Sequence, residues 1–345
     1  MPTEAVYHHL TPQTYMRAWK HGKSSVYIVK KRHVGTGESI NTKKIAGIDN
    51  YHSLRAGAAY RTEDDCDLFF EPLKDYIVKI GNQIEKNTLT LNKKFYDFEN
   101  WDIYDDNGKV IDEEKKNLLK KDILNIHVKD IEEAWNRKYE NYWNSVNQTI
   151  KDLISTIDKN TTCVPATKRE ELIRFMVSLE WRTKPYHPAL LKVFDFVMNK
   201  VFDFKSIDIP EDERLYPFLE TAYDEMAHSI VLKLYRDFLN GKGHIMNEAN
   251  EFINNKTLVL LLAPPNKEFL TSDNPVCRFE NQNGILEYIF PINPKVACSV
   301  VNGNIQQAYQ LRNLTTKEIA FYNTKLKDNC YESYILREQN LSLYF

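Results

Sequence analysis

Thr257-Leu258-Val259-Leu260-Leu261-Leu262-Ala263-Pro264-Pro265 is the stretch from which the fold is read. Its uncharged run is far too short to span a bilayer, and it is closed by two prolines, so it predicts a fully buried strand. Downstream, Asn283-Gly284 separates Val276–Phe279 from Leu286–Phe290, and Asn302-Gly303 separates Val296–Val301 from Ile305–Tyr309. Asn-Gly between extended segments favours a tight turn, so two sequential antiparallel hairpins are expected. A helix from Thr315 to about Leu326 and an extended stretch, Tyr331–Leu336, complete this end of the chain.

Working back from that strand, the pattern between 64 and 255 has helical spacing. Trp135, Tyr139, Tyr142, Val146, Ile150, Leu153 and Ile157 recur every three or four residues. This predicts a helix that begins near Glu113, after the Asp-Asn-Gly turn at 106–108, and ends before Val164-Pro165. A second helix, Lys168 to Arg182, buries Leu172, Phe175, Met176 and Leu179, leaving Glu171, Arg174, Ser178 and Arg182 as a polar stripe. Further helices are expected at Pro188–Val201 and Pro217–Leu239.

Near the N-terminus, Thr11-Pro12 reads as a cap followed by the first residue of a short helix reaching about Lys20. Ser25–Lys30 reads as a strand that pairs with Ser39–Thr42, and Ile45–Tyr51 as another short element. The expected fold class is α+β, a mainly antiparallel sheet built from N- and C-terminal segments with a large helical insertion. The expected organisation is 1–62, 63–255 and 256–345, the last packing with the first as one compact unit.

Composition narrows the function classes. Of 345 residues, 46 are Lys or Arg and 48 are Asp or Glu, so the net charge of −2 gives no global attraction to nucleic acid or membrane. Any polyanion site must be local. Hydrophobic residues at 42% exclude extended disorder or a collagen-like repeat. The cysteines, Cys66, Cys163, Cys277, Cys298 and Cys330, include no CxxC pair, and are expected to be buried thiols in a reducing cytosol. Met1 to Leu10 has no basic segment leading into an apolar one, so a cytoplasmic location is expected. The GxxxxGK[ST], GxGxxG and HExxH signatures are absent, which removes ATPase, dinucleotide and zinc-protease readings.

Three constellations could carry chemistry. In the first, Thr11-Pro12 sets a helix N-terminus beside His8 and His9, with Tyr15 and Arg17 following. A His and an Arg converging on a phosphate suit general acid/base phosphodiester chemistry, although a capped helix also accounts for the segment. In the second, Arg182 at a helix end would clamp a carboxylate or phosphate, with Glu180 or Glu171 orienting it. In the third, the polar loop Thr271-Ser272-Asp273-Asn274-Pro275 is either a rigid turn or the place where Asp273 orients His9 or holds a divalent ion. Ser272 lacks the GxSxG surroundings of a nucleophile.

At these residues the chain resembles a microbial family, the domain of unknown function four-two-three-eight. His9, Pro12, Tyr15, Met16, Arg17 and Trp19 match its H-x-x-P-x-x-Y-L-R-x-F opening, and Thr271 to Pro275 match its T-S-D-N-P segment. Phe290-Pro291-Ile292-Asn293-Pro294 is similar to a later segment, and an R-T-P pattern is interrupted by Lys184. The resemblance implies that the His/Arg element and the Ser-Asp-Asn loop meet, and by analogy that the protein is a bacterial toxin or phage-defence effector.

Two functions are therefore expected. The first is a hydrolase, a nuclease acting on RNA, with His9, Arg17, Arg182 and Asp273 catalytic and His8, Tyr15, Glu180, Ser272 and Asn274 binding substrate. No metal ligand is assigned, and a divalent metal is compatible with the sequence but not required by it. The alternative is a non-catalytic sensor or binding module that recognises an anionic ligand, or a protein partner through the helical region.

Overall fold

The computed structural model describes residues 7–33, 35–158, 160–201, 207–281 and 284–345. Helix accounts for 45% and strand for 23%, with antiparallel sheets, which makes the fold α+β as expected. The chain divides into two units: 1–51, 134–190 and 237–345 form the first, and 52–133 with 191–236 the second. The segment 63–255, read as one helical region, is thus shared between them.

The first unit is organised on the strand Lys256–Leu262, where the apolar run predicted it. This strand is central in a six-stranded sheet. On one side it pairs antiparallel with Val296–Asn302, which pairs in turn with Leu286–Asn293 and that with Cys277–Glu280. On the other side lies Ala308–Asn313, parallel to it, and then the short edge strand Cys163–Pro165. The first predicted hairpin forms, while Asn283 of its turn lies outside the described residues. The second does not. Val296–Asn302 already has a strand on each edge, so Ala308–Asn313 has nowhere to bond beside it and pairs with the far edge of Lys256–Leu262 instead.

The expected joining of chain ends occurs in a second sheet, ordered Thr271–Ser272, Ser333–Leu336, Ser25–Lys30 and Glu38–Asn41. Side-chain alternation sends Tyr288 and Phe290 of the six-stranded sheet to one face and Ile289 to the other. Phe290 meets Trp143 and Phe175, and Tyr288 meets Phe252, so helices Asn141–Ser155, Arg169–Arg182 and Gly243–Asn255 cover that face. On the opposite face Leu261, Ile289 and Ala297 pack with Ile319, Tyr322 and Leu326 of helix Thr316–Asn329, which Thr315 and Glu318 start with a capping box.

The long helix predicted from Glu113 is interrupted. Glu113–Asn125 ends where Val128 exchanges backbone hydrogen bonds with Leu54, both 2.9 Å, and helix resumes at Asp130. A π-helical turn, Asn136–Glu140, then precedes Asn141–Ser155. The wider turn advances the buried face from Tyr139 to Trp143, leaving Tyr142 exposed.

The second unit holds a three-stranded sheet of Gln83–Glu85, Ile77–Ile80 and Trp101–Tyr104, with Phe70, Phe95, Phe98 and Trp101 packed ring to ring. Arg236 donates there to the carboxylates of both Asp65 and Asp130. No helix among the described residues is long and apolar enough to cross a membrane.

Candidate functional site

The first unit brings all three sequence constellations together. His8 and His9 lie on the strand Tyr7–His9, paired with Gly47–Asp49, and strand alternation buries His8 while leaving His9 half-buried. Gly47 permits the pairing, since a Cβ there would stand 2.8 Å from the His8 carbonyl oxygen. His9 Nδ1 lies 3.0 Å from the Ile45 carbonyl oxygen, which can only accept, so this nitrogen carries the proton. Nε2 then accepts from Gln13 Nε2 at 2.8 Å.

The helix that follows spans only Gln13–Met16, continued by a 3-10 turn, Arg17–Trp19. Pro12 rather than Thr11 is its cap, because the Thr11 hydroxyl donates to the Asp273 carbonyl oxygen at 2.9 Å. The expected anion site at a helix N-terminus is therefore not built. Tyr15 is fully buried, bonded to Thr271 Oγ1 at 2.7 Å and to the Pro291 carbonyl oxygen at 2.8 Å. Burial pushes its hydroxyl well above the usual tyrosine range, so it stays a donor. Arg17 is exposed and makes no side-chain ion pair or hydrogen bond among the described residues.

The loop Thr271–Pro275 is a tie between distant segments. Asp273 accepts from the backbone amides of Tyr331, Glu332 and Ser333 at 2.8, 2.7 and 2.9 Å. Burial pushes its carboxyl up, against the pull of those three donors. The expected orientation of His9 by Asp273 is not found, because the His9 proton goes to Ile45 and both Asp273 oxygens go to the backbone. Ser272 bonds the Asn274 backbone, and Asn274 links the Thr183 hydroxyl, 2.7 Å from its Oδ1, to the Asn329 carbonyl, 2.9 Å from its Nδ2.

Arg182, the expected clamp, is fully buried. It donates to Glu140 at 2.8 Å and to the His9 carbonyl oxygen at 2.6 Å, with its guanidinium 4.7 Å from the Trp135 ring. Glu180 leaves the same helix on another side. Arg278 binds it through two nitrogens and Tyr288 donates at 3.1 Å, while Arg278 also reaches Glu248 at 2.7 Å. Burial pushes the Glu180 carboxyl up, with Arg278 opposing.

His8, Tyr15, Glu180, Ser272 and Asn274 are all at most 1% exposed, so none of the expected substrate contacts faces solvent. A buried polar group must find a partner in the protein, and Tyr15, Glu180, Ser272 and Asn274 have done so. The partners of the expected site residues, Gln13, Glu140, Thr183, Arg278 and Asn329, were not assigned these roles from the sequence. Thr183 had a local signal, its place beside Arg182 in the R-T pattern. Glu140, Arg278 and Asn329 act across separations such as the 42 residues between Glu140 and Arg182, which no periodicity reveals, whereas Gln13 reaches His9 from four residues away.

Among the recesses of this unit, two stand out by volume. One, of about 1210 Å³, lies on the sheet face beyond helix Thr316–Asn329, with Val259, Ser299, Val301 and Gln310 in its floor and Arg312 and Glu287 at its edge. The other, of about 710 Å³, adjoins the π-helical turn. Cys163, expected to be buried, is exposed at the larger one, because the strand alternation that buries Val164 turns Cys163 outward.

Fold and site together define an α+β protein whose distinguishing polar residues lie in its interior, where they tie the N-terminal strand and turn to a helix end and a loop. The chain belongs to the family described as protein of unknown function (DUF4238), which matches residues 7–340. No curated protein and no solved structure matches it.

Proposed function

We propose that the protein is a binding module that recognises an anionic ligand. The observation that carries this reading is Asp273, whose carboxylate is spent on three backbone amides. A nuclease led by His9 would need Nε2 released from Gln13 and an acid brought to Nδ1, which donates to Ile45 instead. With the polar motif used internally, recognition falls to the open recesses, which have the size and mixed lining of ligand sites.

The test is a gel assay of the purified protein with total RNA, a transfer RNA and duplex DNA, each with magnesium or with EDTA, beside His9→Ala. Intact nucleic acid in every lane is expected. Cleavage by the wild type that disappears in His9→Ala would overturn the reading in favour of a nuclease.

A further inference from the structure

Resting on that reading, we propose that the recess beside the π-helical turn binds a small aromatic carboxylate. A π turn widens a helix by one residue and commonly marks a functional site. Here the Asn141 amide bonds back to the Asn136 carbonyl, and Glu140, the last residue of the turn, is held by buried Arg182. The family-motif network therefore fixes the wall of this recess.

Trp143 forms a rigid back to that wall, its ring stacked on Phe175 at 4.2 Å and packed against Tyr15 and Phe290.

The charges favour an anion. Arg137, Lys138 and Arg174 line the recess against a single carboxylate, Glu171. Glu171 is already paired with Lys168 at 3.2 Å, and Lys138 donates to the Leu239 carbonyl at the end of a helix. Arg174 shares one nitrogen with Glu170 at 3.1 Å, while exposed Arg137 has no ion pair among the described residues. The remaining lining is ring-rich, with Tyr139, Tyr142, Trp143 and Phe175, which suits a flat apolar body. Burial pushes the Tyr139 hydroxyl up to about 12, so it remains a donor at neutral pH.

The probe is 1-naphthoate, titrated calorimetrically into the full chain alongside neutral 1-naphthalenemethanol and acetate. One saturable naphthoate site is expected, with the alcohol and acetate each about tenfold weaker or worse. Arg174→Gln, a partly exposed position, should weaken naphthoate by about tenfold to a hundredfold, as loss of a charge-assisted hydrogen bond does. Arg312→Gln, at the sheet cleft, should leave it unchanged.

Binding lost in Arg312→Gln but kept in Arg174→Gln would overturn the site while leaving the binding-module reading intact. Absence of saturable naphthoate binding to the wild type would overturn the ligand class. Neither result bears on the gel assay, whose positive outcome alone would overturn the reading beneath.

Discussion

Arg182 donates a hydrogen bond to the backbone carbonyl of His9, 173 residues earlier in the chain, at 2.6 Å. The two residues that sequence reasoning aimed at a shared phosphate do meet, but through the His9 main chain. The histidine ring bonds Ile45 and Gln13, and the second arm of the guanidinium bonds Glu140. Arg182 thus holds the N-terminal strand to the helical layer.

Arg182→Met should therefore destabilise the fold by about 3–5 kcal/mol, because it strands the Glu140 carboxylate and a carbonyl without their donor. His9→Ala removes two hydrogen bonds at a half-buried ring and should cost about 1–3 kcal/mol. Urea unfolding of both variants checks the order, and a larger loss for His9→Ala would show that the ring, not the guanidinium, carries the junction.

Asp273 anchors the entry to the final strand. Asp273→Ala should accelerate amide hydrogen exchange at Tyr331, Glu332 and Ser333, the three donors it satisfies. Asp273→Asn keeps an acceptor oxygen and should fall between the alanine variant and the wild type. Unchanged protection at these three amides in Asp273→Ala would refute the anchoring role.

Thiol titration should separate one cysteine from four. Burial pushes Cys66 up to about 11 and Cys277, Cys298 and Cys330 each up to about 12, whereas Cys163 is exposed. Thiolate is the reactive form, so native protein should consume about one equivalent of an aromatic disulfide reagent at pH 8. Cys163→Ser should consume close to none until denaturant is added.

In the second unit, burial would raise the Asp65 carboxyl, but Arg236 and the Thr62 amide outweigh it and hold the pKa below its ordinary value of about 4. Above that value the carboxylate is ionised in both states, and its contribution is fully present. As pH falls below about 4 the unfolded chain takes up the proton first, and the contribution is lost through the depressed folded pKa. The wild type should lose stability across that window, whereas Asp65→Asn, less stable at neutral pH, should show a shallower acid slope in pH-dependent urea melts.

How much of this was legible depended on the range of the interaction. The strand at Thr257–Leu262, the helix ending at Arg182 and the helix beginning at Thr315 follow from side chains a few residues apart, and all were read. The π turn at Asn136–Glu140 was not, since Trp135, Tyr139 and Tyr142 fit an ordinary helix equally well. Asn302-Gly303 signalled a hairpin, but a dipeptide cannot report that both edges of Val296–Asn302 are already occupied.

The site divides in the same way. From the sequence came the expectation that His9, Tyr15, Arg182 and the Thr271–Pro275 loop belong together. Only the tertiary structure decided what they do, because a polar side chain's role depends on whether water or protein is its partner. The sheets bring Thr11 to Asp273, Tyr15 to Thr271 and Thr183 to Asn274, and desolvation there makes each hydrogen bond a structural requirement. Most residues of the two family motifs are interior by topology, so the recesses described above are lined by other side chains.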